Sequence, residues 1–326
     1  MASSGSVDFS VNRNDIITRS LEVIGEYDPG ETISSADVTT CASWLNLIVK
    51  QLQGTADFAG GLKMWSRKRA YLFLSGGQAV YTLGPTTTAT GTTNKWASSY
   101  VTTTISANEA AGQTVLSVTS ITGISNADRI GIELDDDTMH WTTVNGAPSG
   151  GTVTITASLA SAAASGNRVF AYATTAQGRS PIKILTASLR SFDSTNVPTD
   201  IPIDAGLLIE GYESIVSKTA DSDPTALYYE QTLTDGTVYL DAEPSDVSKI
   251  IRMVYLSAIE DFDASTDTPD YPQEYYLFLV MELGKYIAPV FGVKWTTGME
   301  DNRKSAMAIA KNLYPETSDL YFQCNA

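Results

Sequence analysis

The stretch Arg69-Ala70-Tyr71-Leu72-Phe73-Leu74-Ser75-Gly76-Gly77-Gln78-Ala79-Val80-Tyr81-Thr82-Leu83-Gly84 limits this chain's fold more than any other. Tyr71 and Phe73 alternate with Leu72 and Leu74, and Val80 and Thr82 alternate with Tyr81 and Leu83. β-Branched and aromatic residues at period two suit a pleated, half-buried strand. Ser75-Gly76-Gly77 supplies the positive-φ freedom of a tight reversal. The expectation is a strand, a glycine turn and a returning strand, with Gln78 bonded to local backbone in the turn. The residues before this stretch read helical, and nearly all of the next hundred or so read β. The stretch itself carries no catalytic group.

Upstream, residues 1–11 are small and polar and read as an arm. Asn12 or Asn14 can cap a helix carrying Ile16, Ile17, Leu21 and Ile24 that stops near Gly25. Tyr27-Asp28-Pro29-Gly30 is a turn, and Ser34-Ser35-Ala36-Asp37 resembles a capping box with Asp in place of Glu or Gln. Val38, Cys41, Trp44, Leu45, Ile48 and Leu52 then make one apolar helix face, which completes a helical hairpin. Leu62-Lys63-Met64-Trp65 re-enters the core. Lys63, Arg67, Lys68 and Arg69 are the one dense basic cluster. A solvated strand entry explains it more simply than contact with DNA or an acidic partner.

Thr, Ser, Gly and Ala dominate residues 85–178, with few long charged side chains. Short β segments recur at Tyr100–Ile105, Thr114–Val118, Arg129–Leu134, Met139–Val144, Thr152–Thr156 and Arg168–Tyr172. Turn signals such as Asp135-Asp136-Asp137 and Asn145-Gly146-Ala147-Pro148 separate them. This is a small all-β module, a barrel or a sandwich, inserted at a hairpin tip, where no buried backbone bonds are broken. Beyond it, Ile182–Ile184, Ile201–Ile203, Ala226–Tyr229, Thr237–Leu240 and Ile250–Leu256 are strand candidates, with a hairpin signal at Asp235-Gly236. A helix from Gln273 to about Ala288 turns Tyr276, Leu277, Val280, Leu283, Gly284 and Ile287 inward, and Pro289 ends or kinks it. Another runs from about Gly298 to Leu313, with Met299, Ala306, Ile309, Ala310 and Leu313 on one side.

These patterns predict an α+β fold. One helical layer is built from the N- and C-terminal helices, a central antiparallel β region lies between them, and the small β module is inserted in it. Residues 1–84 and 179–314 form a discontinuous core, 85–178 the insert and 315–326 a docking tail. In that tail Leu320, Tyr321 and Phe322, with Tyr314 just before it, are apolar groups that either dock on a neighbour or fold back on the chain's own core.

The chain has 326 residues and 43% hydrophobic content, enough for a sizeable core and two domains. Its formal net charge of −16 argues against holding nucleic acid by its phosphates. The sole histidine, His140, excludes multi-histidine metal sites. Cys41 and Cys324 lie far apart, a usage that fits a reducing compartment. No secretory signal and no membrane-length apolar run is visible. Neither a phosphate-binding glycine loop nor a nucleophile elbow occurs, and His140 reads as a strand histidine. Asp135–Asp137 offers carboxylate oxygens to Ca²⁺, but a hairpin tip explains the run as well. Tyr228-Tyr229 and Tyr275-Tyr276 could stack sugars or bases, although such pairs are more often core or interface residues. The sequence calls for no catalytic residues, no cofactor and no metal.

Leu45-Asn46-Leu47-Ile48, Gly61-Leu62, Trp65 and the Phe73–Gly84 run, taken together, resemble the head-to-tail adaptor proteins of short-tailed bacteriophages, also called tail accessory factors or packaged-DNA stabilisation proteins. Arg179–Ile184, Pro224–Tyr229, Gly236–Pro244, Tyr271–Tyr275 and Leu283 with Ile287–Gly292 continue the likeness in order. Gly76, Gly77, Gln78, Tyr81 and Gly84 are then its structural motif. Many relatives pass almost directly from the Gly84 equivalent to the Arg179 equivalent, and the Trp expected near Gln51-Leu52 is absent. The insert's Ala111–Val118 and Asp128–Gly131 strings are similar to β inserts of other phage tail proteins.

The resemblance implies a structural virion protein at the head–tail junction, assembled in the host cytoplasm. It would form a ring, of twelve subunits in this family, that joins the portal to the tail, extends the DNA channel and helps retain packaged DNA. Tyr314, Leu320, Tyr321 and Phe322 would dock on the portal or a neighbour. The β parts would face outward or toward downstream tail, nozzle or fibre proteins. DNA would pass without specific binding, and no membrane is involved. The alternatives are a host-glycan-binding or capsid-decoration protein that uses the 85–178 module, and a cell-wall hydrolase that uses a carboxylate pair.

Overall fold

The computed structural model describes residues 9–54, 67–84, 95–176, 180–232 and 235–312. In chain order the elements begin with α1 (Arg13–Ile24), α2 (Ser35–Gly54), β1 (Arg67–Phe73), β2 (Val80–Leu83) and β3 (Trp96–Ala97). Next come β4 (Val101–Thr104), β5 (Val115–Ser117), β6 (Arg129–Glu133), β7 (Met139–Thr143), β8 (Thr152–Thr154) and β9 (Arg168–Tyr172). The last group is β10 (Pro181–Phe192), β11 (Pro198–Leu207), α3 (Ile209–Glu213), β12 (Ala226–Gln231), β13 (Gly236–Leu240), β14 (Ile250–Ser257), α4 (Tyr276–Ile287) and α5 (Thr297–Asn312). The chain is a mixed α+β protein in two compact units, one running to Ser66 and resuming at Ile259, the other Arg67–Ala258. The expected core of 1–84 with 179–314 spans both units.

In the helical unit, Asn12 is the cap of α1. Its Oδ1 accepts the Asp15 N–H at 2.9 Å, and the Asp15 carboxylate accepts the Asn12 N–H at 3.0 Å. Gly25, at φ 78°, closes the other end. Asn12→Ala should destabilise by about 1 kcal/mol in urea titration, because the Asp15 N–H loses its side-chain acceptor. The box expected at α2 is half formed. Ser34 Oγ accepts the Asp37 N–H at 3.1 Å, but the Asp37 carboxylate is taken by the hydroxyls of Ser34 (2.6 Å) and Tyr27 (2.5 Å), which hold it below the usual carboxylate range.

Ile16, Ile17, Leu21 and Ile24 of α1 share one core with Cys41, Leu45, Ile48 and Val49 of α2 and with residues of α4 and α5. Helices from both ends of the chain thus bury a common set of side chains. Two inward assignments are corrected, since Leu277 and Ile309 are each 60% exposed. α4 packs against α1, α2 and α5, so Phe278, Leu279, Val280 and Leu283 are all buried and position 277 occupies the one open sector. α5 packs on α4 and the 3₁₀ turn Gln273–Tyr275, and buries only the narrow Ala306/Ala310 stripe. Arg303 spans that contact, reaching Glu282 at 2.7 Å and Glu300 at 2.8 Å.

The β unit contains an eight-stranded sheet, order β2-β13-β12-β11-β10-β14-β1-β3, rolled into a nearly closed barrel-like form. The glycine break joins no hairpin: β1 pairs with β14 and β3, whereas β2 pairs with β13. Trp96 and Ala97 occupy the ladder edge of β1 that β2 would need. Ser75–Gln78 is therefore a corner that carries the chain from one end of the sheet to the other. The region is not wholly antiparallel either, since β11 runs parallel to β12 at Asp204↔Ala226 and Leu207↔Tyr228. β10 extends to Phe192, well beyond the expected Ile184. Its register shift between Ile184 and Thr186 reverses side-chain parity, so that Ile184, Ala187 and Leu189 all face the interior.

The insert has strands at all six expected positions. Sheet β4-β9-β6-β7 and ribbon β5-β8 are linked by bridges at Ile105↔Val118 and Val144↔Ile155. The open choice between barrel and sandwich resolves as a small closed ring of strands around Leu116, Ile130, Ile132, Val153 and Val169.

Candidate functional site

Of the motif residues, Gly76, Gly77 and Gln78 form the corner, Tyr81 bonds back to it, and Gly84 lies at the far end of β2. Gly77 alone among them needs the left-handed region, at φ 68°. Gly76 lies against the Asp137 carbonyl at the insert's acidic turn, where an added Cβ would stand at 3.4 Å. Tyr81 is buried, and its Oη accepts the Ser75 N–H at 3.0 Å and donates to the Ser75 carbonyl at 3.3 Å. Burial pushes its phenol far above the ordinary value. Gln78 Nε2 donates to the Val80 carbonyl at 2.8 Å, the local backbone contact expected. Gly84 packs so closely on Asp235 that an added Cβ would clash with its carboxylate. Gly77→Ala should cost about 1 kcal/mol, because an L side chain there strains the left-handed backbone. A denaturation midpoint unchanged from wild type would show that the corner can re-form differently.

Above the corner sits Lys95, a residue that no motif or pattern singled out. It is 8% exposed. Its Nζ donates to Ser75 Oγ at 2.9 Å and stands 5.8 Å from the Trp141 ring centroid. No carboxylate lies within ion-pair distance of it among the described residues, and burial pulls its ammonium down to about 8. One signal was available: Lys95 is the sole Lys or Arg between Gly84 and Asp128.

Period two on β1 divides its side chains between two cores. Ala70 and Leu72 line the sheet interior, whereas Phe73 faces the insert. Phe73 is fully buried, with ring centroids of Tyr100, Trp141, Phe170 and Tyr172 at 5.8, 5.2, 5.3 and 5.2 Å. β1 is thus covered on both faces at Phe73, not half-buried as the alternation suggested. Arg168, 8% exposed, stacks over Phe192 at 5.0 Å and bonds Asn196 Oδ1 and the carbonyls of Phe192 and Asp193. Arg190, held by Asp200 of the same large sheet through two bonds at 2.7 and 2.8 Å, donates from Nη1 to Tyr100 Oη in the insert at 3.4 Å. These contacts fasten the small ring to the large sheet, and their chemistry suits holding and orienting.

His140 lies on β7 with Nε2 3.3 Å from the Ala157 carbonyl. Asp135 Oδ1 accepts from the Ala164 N–H and Asn167 Nδ2, and Asp136 Oδ1 from Thr138, as a turn requires. Among the described residues no group of three or more His, Cys, Asp or Glu is placed to hold a metal. Cys41 is buried and its thiol is pushed up to about 11. Tyr228 stacks with Tyr212 and Tyr239, while Tyr229 turns inward to bond the Pro181 carbonyl. Tyr314, Leu320, Tyr321, Phe322, Lys63 and Cys324 lie outside the described residues.

Large apolar side chains stand in solvent on each unit. On the β unit they include Val197, Ile201, Leu208, Ile209 and the fully exposed Val216. On the helical unit they include Phe9, Leu277 and Ile309. Comparison with known proteins finds no matching family model, no matching curated protein and no matching solved structure. No helix among the described residues is long and apolar enough to cross a membrane.

Proposed function

We propose that this chain is a structural subunit of a ring, acting as a head-to-tail adaptor that joins a portal to a tail and extends the DNA channel. The observation that carries the reading is the set of large apolar residues left exposed on both units, which an isolated subunit gains nothing by exposing and neighbours would cover. The ordered motif resemblance supplies the kind of assembly. The helical unit, whose core draws on both ends of the chain, is the layer placed around the channel. The net charge of −16 suits a passage that DNA must slide through without sticking. The β unit faces outward or toward the next tail component.

The test is to mix purified chain with portal and examine the product by electron microscopy. Rings stacked on the portal, twelve-fold in the family's pattern, are expected. An absence of rings and of portal binding across protein concentration and salt would overturn the reading.

A further inference from the structure

The N-terminal ends of α1 and α4 enclose an apolar groove of about 440 Å³, lined by Phe9, Val11, Ile16, Arg19, Tyr276 and Leu277 among others. The two helices run in the same direction there: Phe9 lies beside Tyr276, Ser20 Oγ bonds the Val280 carbonyl and Ile24 meets Gly284. α5 runs the opposite way along α4. Glu300 pairs with Lys285 and Arg303 with Glu282, so each step forward on α5 moves back along α4. This progression brings the end of α5 level with the Gln273–Tyr275 turn, which α5 also touches. The last described residue, Asn312, therefore stands level with the N-terminal end of α4, the end whose residues Tyr276 and Leu277 line the groove.

We infer that the groove receives the chain's own segment Leu320-Tyr321-Phe322. Leu320 is eight residues beyond Asn312, and an extended chain covers about 3.3–3.6 Å per residue, ample for the width of a helix pair. The groove is walled by apolar and aromatic side chains and its rim residue Leu277 is 60% exposed, a surface that three large apolar side chains would close. Arg19 and Glu22 add one charge of each sign to the lining, so the apolar walls and the reach of the chain carry the assignment. The inference does not rest on the adaptor reading, since a tail seated in its own groove is a property of the single subunit.

The test uses the full chain with Leu277→Cys, in which native Cys324 lies two residues past Phe322 and Cys41 is fully buried. A short bis-maleimide should join Cys324 to position 277 within one chain, at a yield independent of protein concentration. Val290→Cys, at the far end of α4 and 49% exposed, should cross-link at least tenfold less. Leu320→Asp with Phe322→Asp should abolish the 277 product, and circular dichroism would report that the fold is kept. In a second assay with Cys324→Ser, those two aspartates should raise the labelling rate of the 277 thiol several-fold. Equal yields at 277 and 290, or products formed only between chains, would overturn the inference.

Discussion

Replacing Phe73 with alanine should destabilise the β unit by about 3–5 kcal/mol, the usual range for a buried ring whose site cannot collapse. Phe73 is fully buried, and its neighbours Tyr100, Trp141, Phe170 and Tyr172 are rigid rings held by their own strands, so they cannot close over the void. The loss removes both the transferred ring and its edge and stacking contacts. Val80→Ala on β2 is the matched control. Val80 is 43% exposed, and its truncation should change stability by under about 0.5 kcal/mol. Urea titration followed by tryptophan fluorescence reads the difference, with Trp141 itself in the cluster. A loss under about 1 kcal/mol for Phe73→Ala would mean that the ring and the sheet are not joined through this side chain.

Lys95→Met should act in the opposite direction and stabilise the protein at pH 7. Burial lowers the ammonium from 10.5 to about 8, and its single oxygen partner is a hydroxyl. The folded value is therefore below the unfolded one. Under pH 8 both states carry the charge and the full desolvation penalty is present. Between pH 8 and 10 the unfolded chain holds more protons, so stability rises with pH. At 1.36 kcal/mol per tenfold in proton affinity the whole effect is about 3 kcal/mol. Above pH 10 the buried phenols of Tyr81, Tyr229 and Tyr271, all raised by desolvation, reverse the slope because the unfolded chain loses those protons first. Denaturation at pH 7 and pH 9.5 measures the term. Wild type should gain stability over that interval, and Lys95→Met should start about 2–3 kcal/mol higher and lose most of the gain. An unchanged slope in the variant would show that Lys95 is not the group responsible.

Much of the local structure was legible from the residues. Asn12 and Gly25 mark both ends of α1 because caps and left-handed termini demand particular residue types. The six strands of the insert arise from alternation and turn residues, and Gln78 bonds its own turn. Partner choice was not legible. β1 and β2 have the pattern of a hairpin, yet alternation constrains only which face a side chain occupies and says nothing of which strand lies alongside. The junction had no sequence signature, because Phe73, Tyr100, Trp141, Phe170 and Tyr172 come from five separate places and look like ordinary strand aromatics until the fold unites them.

Local chemistry in the sequence determined the helices, the strands, the acidic balance and the glycine break between Leu74 and Val80. The sequence also sets the −16 charge, which bears on function whatever the fold. Only the tertiary structure decided that the break is a corner and not a hairpin, that the insert closes as a ring, and that Leu277 and Ile309 lie outside the helical core. It alone buried Lys95 beneath Trp141. The physical reason is common to all four. Propensity and periodicity act over a few residues, whereas pairing, burial and desolvation depend on groups far apart in the chain that only the packed molecule brings into contact.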